Sequence, residues 1–560
     1  MEKTTGARVL ADMLDGYGVT HVFMVPAVLR RTMKELEERT EIARIHTHGE
    51  KSAAYMADGY ARASGRPGVC MAQVIGALNL AAGLRDAWLA HSPVVAMTGG
   101  RHPDSKFRKV YQEVDDLPAF EPVTKLNATI DSVARIPDMV RLAFRTAVSG
   151  TPGPVHLQFQ GNEGQIDQEE AEMSGYVEPA FRSVPPFRPH PGDEVLRRAL
   201  EIITTAARPV IVAGGGVRAS GAARELVAFA EKLQIPVATS LNGKDSISGK
   251  HPLSVGVVGT YSRASANMVV GDADLVLFIG TETGGMTTHF WQVPRPGVRA
   301  VQLGLDPESL GHNYRLELAI QGDAQVSLRR LVQLDVAATP DRREWLDHVR
   351  GIVESWRDEY APLMQSDSVP IRPERICAEL TEHVPDDGIV VVDTGHGGMW
   401  MGGMYDLRTP EQSYMRSAGH LGWAFPAALG AKCAAPDRPV VCFTGDGGLW
   451  YHIAEIETAA RWNINTVTVV NNNGSGNQSK RGFDRIYGGT QTPKARELWT
   501  FSDVDFAQIA TNMGAVGIRV EKPAELGPAL RKAFETEGPV VVDVVTDIDA
   551  LAPLAVVADS

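Results

Sequence analysis

Residues 438–473 read RPVVCFTGDGGLWYHIAEIETAARWNINTVTVVNNN, and this unit constrains the fold more than any other stretch. An apolar run ends in Gly445-Asp446-Gly447-Gly448, a helical pattern follows through Leu449, Ile453, Ile456 and Ala460, and a β-branched run ends in three asparagines. Strand, helix and strand in that order require a right-handed crossover, which lays the second strand parallel to the first. Both strand ends then share one edge of a sheet. There Asp446 meets one of Asn471, Asn472 and Asn473, bringing together the hard oxygen donors that Mg²⁺ or Ca²⁺ prefers. Gly447 and Gly448 open the helix, whose free N–H groups add an anion site beside the metal. The pattern predicts a metal-bridged diphosphate.

The same alternation of apolar β-rich runs and helical patterns fills nearly the whole chain, predicting parallel sheets covered by helices. With 560 residues, about three domains are expected. The predicted class is α/β with three doubly wound parallel-sheet domains at 1–165, 190–340 and 366–560. Between the first two, GNEGQIDQEEAEMSGYVEPAFRSVPPFRPHPGDE is acidic and proline-rich and reads as a surface linker. A charged stretch from about 335 to 365 reads as an exposed helix. In the last block GIVVVDTGHGG, RPVVCFTGDGG and INTVTVVNNN are three strands ending in polar loops, which face one crevice. GGGVRASG, residues 214–221, lacks dinucleotide-fingerprint spacing and reads as a tight strand-to-helix turn.

A net charge of −13 offers no basic surface for nucleic acid. The four cysteines, Cys70, Cys377, Cys433 and Cys442, lie apart among apolar residues and read as buried free thiols. With no signal-peptide pattern at the amino terminus and no apolar run long enough to span a membrane, the expected location is cytoplasmic.

GDGG, the helix after it and the asparagines resemble the thiamine-diphosphate motif of the acetolactate synthase and pyruvate decarboxylase superfamily, and the resemblance covers all three blocks. It implies the thiamine-diphosphate-binding fold, with Mg²⁺ held by Asp446, Asn473 and the carbonyl of Ser475. Gly445, Gly447, Gly448 and Gly476 lie in the loops around that diphosphate. HTHGEKSAAYMADGYARASG resembles the helix that carries the family's essential carboxylate, here Glu50, which controls the aminopyrimidine tautomer so that the cofactor deprotonates its own thiazolium C2. SAGHLGWAFPAALGAKCA resembles the segment whose aliphatic residue, Leu421, bends the cofactor and whose Gly419 carbonyl accepts from the 4′-amino group. DTGHGGMW resembles the diphosphate loop, with His396 and Gly397 as contacts and Met399 beside the aminopyrimidine. YQEVDDLPAF resembles the acetolactate synthase stretch whose glutamine, here Gln112, points at the cofactor.

The chain departs from that pattern in places. Pro26-Ala27-Val28 stands for Pro-Gly-Gly, and Val74-Ile75-Gly76 for Gly-Pro-Gly. The stretch GSGNQSKRGFDRIYGG makes the loop after the metal site a specificity element, in which Asn477 and Gln478 are able to bond a substrate. Lys480 and Arg481 read as a solvated basic patch ahead of an anion site, and His102 as an ordinary loop histidine ahead of a proton shuttle. FAD in the central domain is left undecided.

The function implied is a thiamine-diphosphate-dependent decarboxylase or carboligase acting on a 2-oxo acid through a C2 carbanion and enamine. The alternatives are a lyase or hydrolase cleaving a hydroxyacyl thioester or diketone, with Trp450 and Tyr451 reshaping the pocket, and a non-catalytic relative. Expected partners are a small-molecule substrate and a second copy of the chain, as a homodimer or homotetramer with sites shared between chains; no nucleic acid and no membrane are expected.

Overall fold

The computed structural model describes residues 2–336 and 341–553. Three six-stranded sheets, each parallel throughout, follow one another along the chain. In the first the strands run in the order Ala43–His46, His21–Met24, Gly68–Ala72, Val94–Gly99, Val155–Phe159, Asn127–Ile130. The last repeats that order with Ser413–Arg416, Ile389–Val392, Val440–Gly445, Val467–Asn472, Val540–Val545 and Val516–Val520. Numbered by sequence, both sheets read 2-1-3-4-6-5, so the outer units share one topology although no short repeat is visible in the sequence. The central sheet has a different order, with Pro209–Ala213 and Leu275–Ile279 as adjacent middle strands. The α/β expectation with three parallel sheets is met.

Two segments pack more than their composition suggests. Part of the acidic stretch after residue 160 forms the strand Glu170–Met173, which pairs antiparallel with Glu2–Thr5. The charged run before 365 is the helix Arg343–Met364, which buries Trp345, Val349 and Trp356. The cysteines are free; three are buried and Cys433 is partly exposed. Among the described residues no helix is long and apolar enough to cross a membrane.

The outer units meet through two helices, Glu50–Ser64 and Ala424–Ala434. Both are rich in alanine and glycine, so their backbones touch. A Cβ on Gly59 would lie 2.0 Å from the Ala427 carbonyl oxygen, and one on Gly430 would lie 1.9 Å from that of Met56. Only hydrogen fits at either point. Polar ties run beside this seam. Trp423 Nε1 donates to Asp58 at 2.8 Å, and Arg62 donates to Asp58, Asp86 and the Arg416 carbonyl.

Replacing Gly430 by valine is expected to drive the helices apart and cost about 1–3 kcal/mol or more. A urea unfolding midpoint equal to that of the unmodified protein would show that the contact is not tight.

Candidate active site

Asp446 stands just past the strand Val440–Gly445, which is paired so that Gly445 lies opposite Asn471. Beyond the neighbouring strand the chain turns back at Gly474, whose φ is +63°. The Ser475 amide then donates to Asp446 Oδ2 at 2.8 Å, while Gly447 N donates to Oδ1 at 2.9 Å. The Ser475 hydroxyl donates to Asn473 Oδ1 at 2.8 Å. Aspartate and asparagine, 27 residues apart (473 − 446), are thus joined through one serine.

The structure distinguishes the three asparagines. Asn472 is spent on the Val504 carbonyl and Asp543, each at 2.9 Å. Asn471 is a buried strand residue. Asn473, half-buried beside Ser475, is the one at the Asp446 loop.

Burial raises the Asp446 carboxyl to about 7 against the pull of the backbone N–H groups around it. Among the described residues no lysine, arginine or histidine forms an ion pair with it, and no group of three His, Cys, Asp or Glu could hold a metal. The donor set is one carboxylate, one carboxamide and the Ser475 peptide. Such a set fits a hard divalent cation that receives its remaining charge from a phosphate.

A second carboxylate lies behind the first. Asp393, at the end of Ile389–Val392, is fully buried and raised to about 7, chiefly by desolvation. It accepts from Thr444 Oγ1 at 3.0 Å and from Gly422 N at 3.0 and 3.1 Å. A Cβ on Gly448 would meet it at 2.4 Å, which is why the second glycine of GDGG is small. Strands ending in Asp393 and Asp446 are neighbours where the strand order reverses, the usual place for a ligand in such sheets. Helix His396–Met404 begins there at Gly395. Gly397 lies over Phe443 at ordinary contact, and Gly476 N donates to the Trp499 carbonyl. His396 is buried and lowered to about 4, by burial first and then by Arg481, and its Nδ1 has no partner. Met399 is a buried member of the core cluster that includes Phe443.

The turn 417–422 carries Gly419, at φ +147°, and Leu421, 39% exposed. Two acids from different units hold it. Asp86 accepts from Ser417 Oγ at 2.9 Å, from Ala418 N at 2.9 and 3.0 Å, and from His420 N at 3.2 Å. Asp393 takes the amide of Gly422. Asp86 and Asp393 escaped sequence reading as site residues. The only signal for Asp393 was its place at the end of an apolar strand, as with Asp446, and Asp86 sits inside a helix with nothing to mark it.

Glu50 is the first residue of its helix. Its Oε2 accepts from Asn79 Nδ2 at 3.1 Å, and a Cβ on Gly76 would meet Oε1 at 2.4 Å. The Val74–Gly76 turn that stands for Gly-Pro-Gly therefore cradles the carboxylate. Ala27, in place of the family glycine, is held at φ +83°. Gln112, at φ +64°, has a buried Oε1 without a partner.

The later loop residues are used internally. Asn477 Nδ2 donates to Ile548 and Ala550 carbonyls, Lys480 pairs with Asp484 at 2.9 Å, and Arg481 donates to the Ala552 carbonyl. Gln478, exposed, reaches Tyr261 of the central unit at 3.4 Å. His102 Nδ1 accepts from the Asp104 amide, as an ordinary loop histidine does. In the central sheet GGGVRASG is a tight strand-to-helix turn. A Cβ on Gly214 would lie 2.2 Å from the Gly280 carbonyl oxygen, so these glycines bring two backbones together, and no flavin is assigned on them.

Family models for thiamine pyrophosphate enzymes match in order: the N-terminal TPP binding domain at 4–119, the central domain at 196–331 and the C-terminal TPP binding domain at 393–544. Similar proteins include a probable acetolactate synthase large subunit of Methanococcus aeolicus, 32% identical over 97% of this chain and 92% of that protein. The acetolactate synthase large subunit of Corynebacterium glutamicum is 31% identical over 98% and 88%, and the isozyme 1 large subunit of Escherichia coli is 30% identical over 98% and 95%. The chain belongs to the thiamine pyrophosphate enzyme family. It is a thiamine-diphosphate-dependent enzyme of the acetolactate synthase and pyruvate decarboxylase-like superfamily.

In this family member, Asp86→Asn is expected to set an NH₂ group against the amides of Ala418 and His420. Hydrogen exchange of a peptide spanning 413–423 should then speed up by about tenfold or more in the cofactor-free protein. Exchange at the wild-type rate would show that Asp86 does not hold the turn.

Proposed function

We propose that the protein is an acetolactate synthase-like decarboxylase and carboligase acting on a 2-oxo acid. The bond from the carbonyl carbon to the carboxylate breaks and CO₂ leaves. The electron pair left behind forms a bond to a second carbonyl carbon, whose oxygen takes a proton. Thiamine diphosphate supplies, when bound, the electron sink this needs. The single observation that carries the reading is the buried Asp446 carboxylate, without a basic partner and tied through Ser475 to Asn473.

Mg²⁺ is the ion this donor set suits, with Asp446, Asn473 and the Ser475 carbonyl as ligands. Gly397, Gly445, Gly447, Gly448 and Gly476 keep side chains away from the diphosphate, and His396 stands neutral beside it at pH 7. Met399, buried in the 396–404 helix, anchors that helix in the core. Glu50 would hold a proton at N1′ of the aminopyrimidine, the Gly419 carbonyl would accept from the 4′-amino group, and the exposed Leu421 would support the cofactor from one side. Gln112 presents its amide to the substrate beside the reacting centre.

Each site is proposed to be shared between two chains, in a homodimer or homotetramer. Along its length the helix bearing Glu50 is committed to its own chain's 416–423 segment and to His452, through Ser52, Tyr55, Asp58 and Arg62. Next to Glu50, the 77–89 helix exposes Leu78 and Leu89, an apolar face fit for a second copy. Two-fold pairing completes two sites at once. The soluble small-molecule chemistry and the buried thiols fit a cytoplasmic enzyme. Trp450 and Tyr451, 40% and 58% exposed beside the metal helix, favour the second reading, cleavage of a hydroxyacyl thioester or diketone, if neither decarboxylation nor ligation is found.

Purified protein with thiamine diphosphate, Mg²⁺ and a panel of 2-oxo acids is expected to release CO₂ and, with a second carbonyl compound present, form an acyloin-type product detectable by mass spectrometry. Turnover of none of them would refute the reading. Glu50→Gln should bind cofactor yet exchange the C2 proton about a hundredfold more slowly or worse; wild-type exchange would remove Glu50 from the mechanism. Glu50→Gln and Asp446→Ala proteins, each inactive, should regain activity when refolded together, because one site of the mixed dimer is wholly wild type. Mixed dimers that form and stay inactive would rule out the shared site.

A further inference from the structure

Beneath the 100–116 loop lies a cavity of about 420 Å³, whose wall includes Val74, Arg101, His102, Gln112, Gln160 and Gln165. It sits past the ends of Val94–Gly99 and Val155–Phe159, at the carboxyl edge of the first sheet. The Val74–Gly76 turn connects it to the reacting centre, since Val74 lines the cavity and Gly76 abuts Glu50.

Of the acidic and basic groups around this cavity, three already have partners, and the fourth, Glu169, is an exposed carboxylate that disfavours an anion there. Arg101 donates to Asp115 at 2.7 Å, Glu113 accepts from the Phe107 amide at 2.8 Å, and His102 Nδ1 accepts from Asp104 N at 3.2 Å. Gln165 is taken by Asn162 and the Glu163 amide. Two amides are not. Gln112 Oε1 is buried without a partner, and Gln160, 8% exposed, makes no side-chain hydrogen bond among the described residues. A carboxamide offers both a donor and an acceptor and carries no charge, so it complements hydroxyl and carbonyl groups and not a net anion. A space of 420 Å³ corresponds to on the order of a dozen water volumes, far more than a three-carbon 2-oxo acid fills.

We infer that this cavity is the acceptor subsite of the reaction, and that it takes an uncharged, hydroxyl-bearing carbonyl compound of several carbons. The inference rests on the proposed carboligase reading and specifies its second substrate. Gln160 and Gln112 hydrogen-bond the acceptor's hydroxyl groups while its carbonyl faces the Val74–Gly76 end of the cavity. An apolar acceptor of equal length would offer neither amide a partner, and that discriminates against it.

The experiment has two arms. In the first, the holoenzyme receives pyruvate with erythrose, xylose, butanal or pentanal, and products are followed by mass spectrometry. The sugars should exceed the chain-matched aldehydes in kcat/KM by about tenfold or more, and Gln160→Leu should raise KM for the sugars by about tenfold. Preference for the aldehydes, or an unchanged sugar KM in the variant, overturns the inference. In the second arm, saturation-transfer NMR with xylitol reads occupancy without turnover; a signal is expected from the wild type and a weaker one from Gln160→Leu. Gln160→Ala takes its place if the leucine variant does not fold. Failure of any 2-oxo acid to react would refute the carboligase reading alone, whereas absent or unaltered xylitol transfer refutes the subsite itself.

Discussion

A carboxylate removed from water with no basic side chain to meet it must be neutralised by protonation or by an ion. Asp446 is in that position, and much of the last unit follows from it. The strand before it is buried and β-branched, so the acid emerges at a fixed height on the sheet edge. The crossover returns Asn473 and Ser475 to the same point, and backbone amides orient the two oxygens without cancelling their charge. In the apo chain the carboxyl is pushed to about 7; a divalent ion carrying a diphosphate would make the ionised form the stable one.

The organic end of the cofactor, which we propose rests on Gly419 and Leu421, needs a different kind of control. Gly419 and Leu421 lie on a short turn whose glycines have positive φ, a flexible stretch on its own. Its conformation is imposed from two sides, by Asp86 of the first unit and Asp393 of the third. That arrangement works only if the two units keep a fixed distance, and the glycine contacts between Glu50–Ser64 and Ala424–Ala434 supply it. The helix Ala77–Leu89 extends the same logic, with Asn79 on Glu50 near one end and Asp86 on the turn near the other. Seven residues of helix separate them, a span of about 10 Å.

What could be read in the sequence followed from local pattern. Apolar runs with glycine turns gave three parallel sheets, and the spacing from Asp446 to the asparagines gave a common edge, because both depend on neighbours in the chain. Local pattern left all three asparagines open and only the family resemblance singled out Asn473, since Asn472 is diverted by Asp543, 71 residues away. Asp86 was equally hidden, for its partners on the turn lie more than 300 residues further on. Asn477 and Lys480 looked like free polar groups in a loop, yet their partners are carbonyls near the carboxyl end and an acid one helical turn on. The identical strand order of the first and last units was also invisible, because topology can persist where residues do not repeat.

The most direct test of the account is calorimetric titration of the apo protein with thiamine diphosphate, with Mg²⁺ and after chelation, and of Asp446→Ala with Mg²⁺. Saturable binding is expected only for the unmodified protein with metal, at least about a hundredfold tighter than in the other two cases. Equal affinity in all three would contradict it, because the buried carboxylate would then have no part in holding the cofactor.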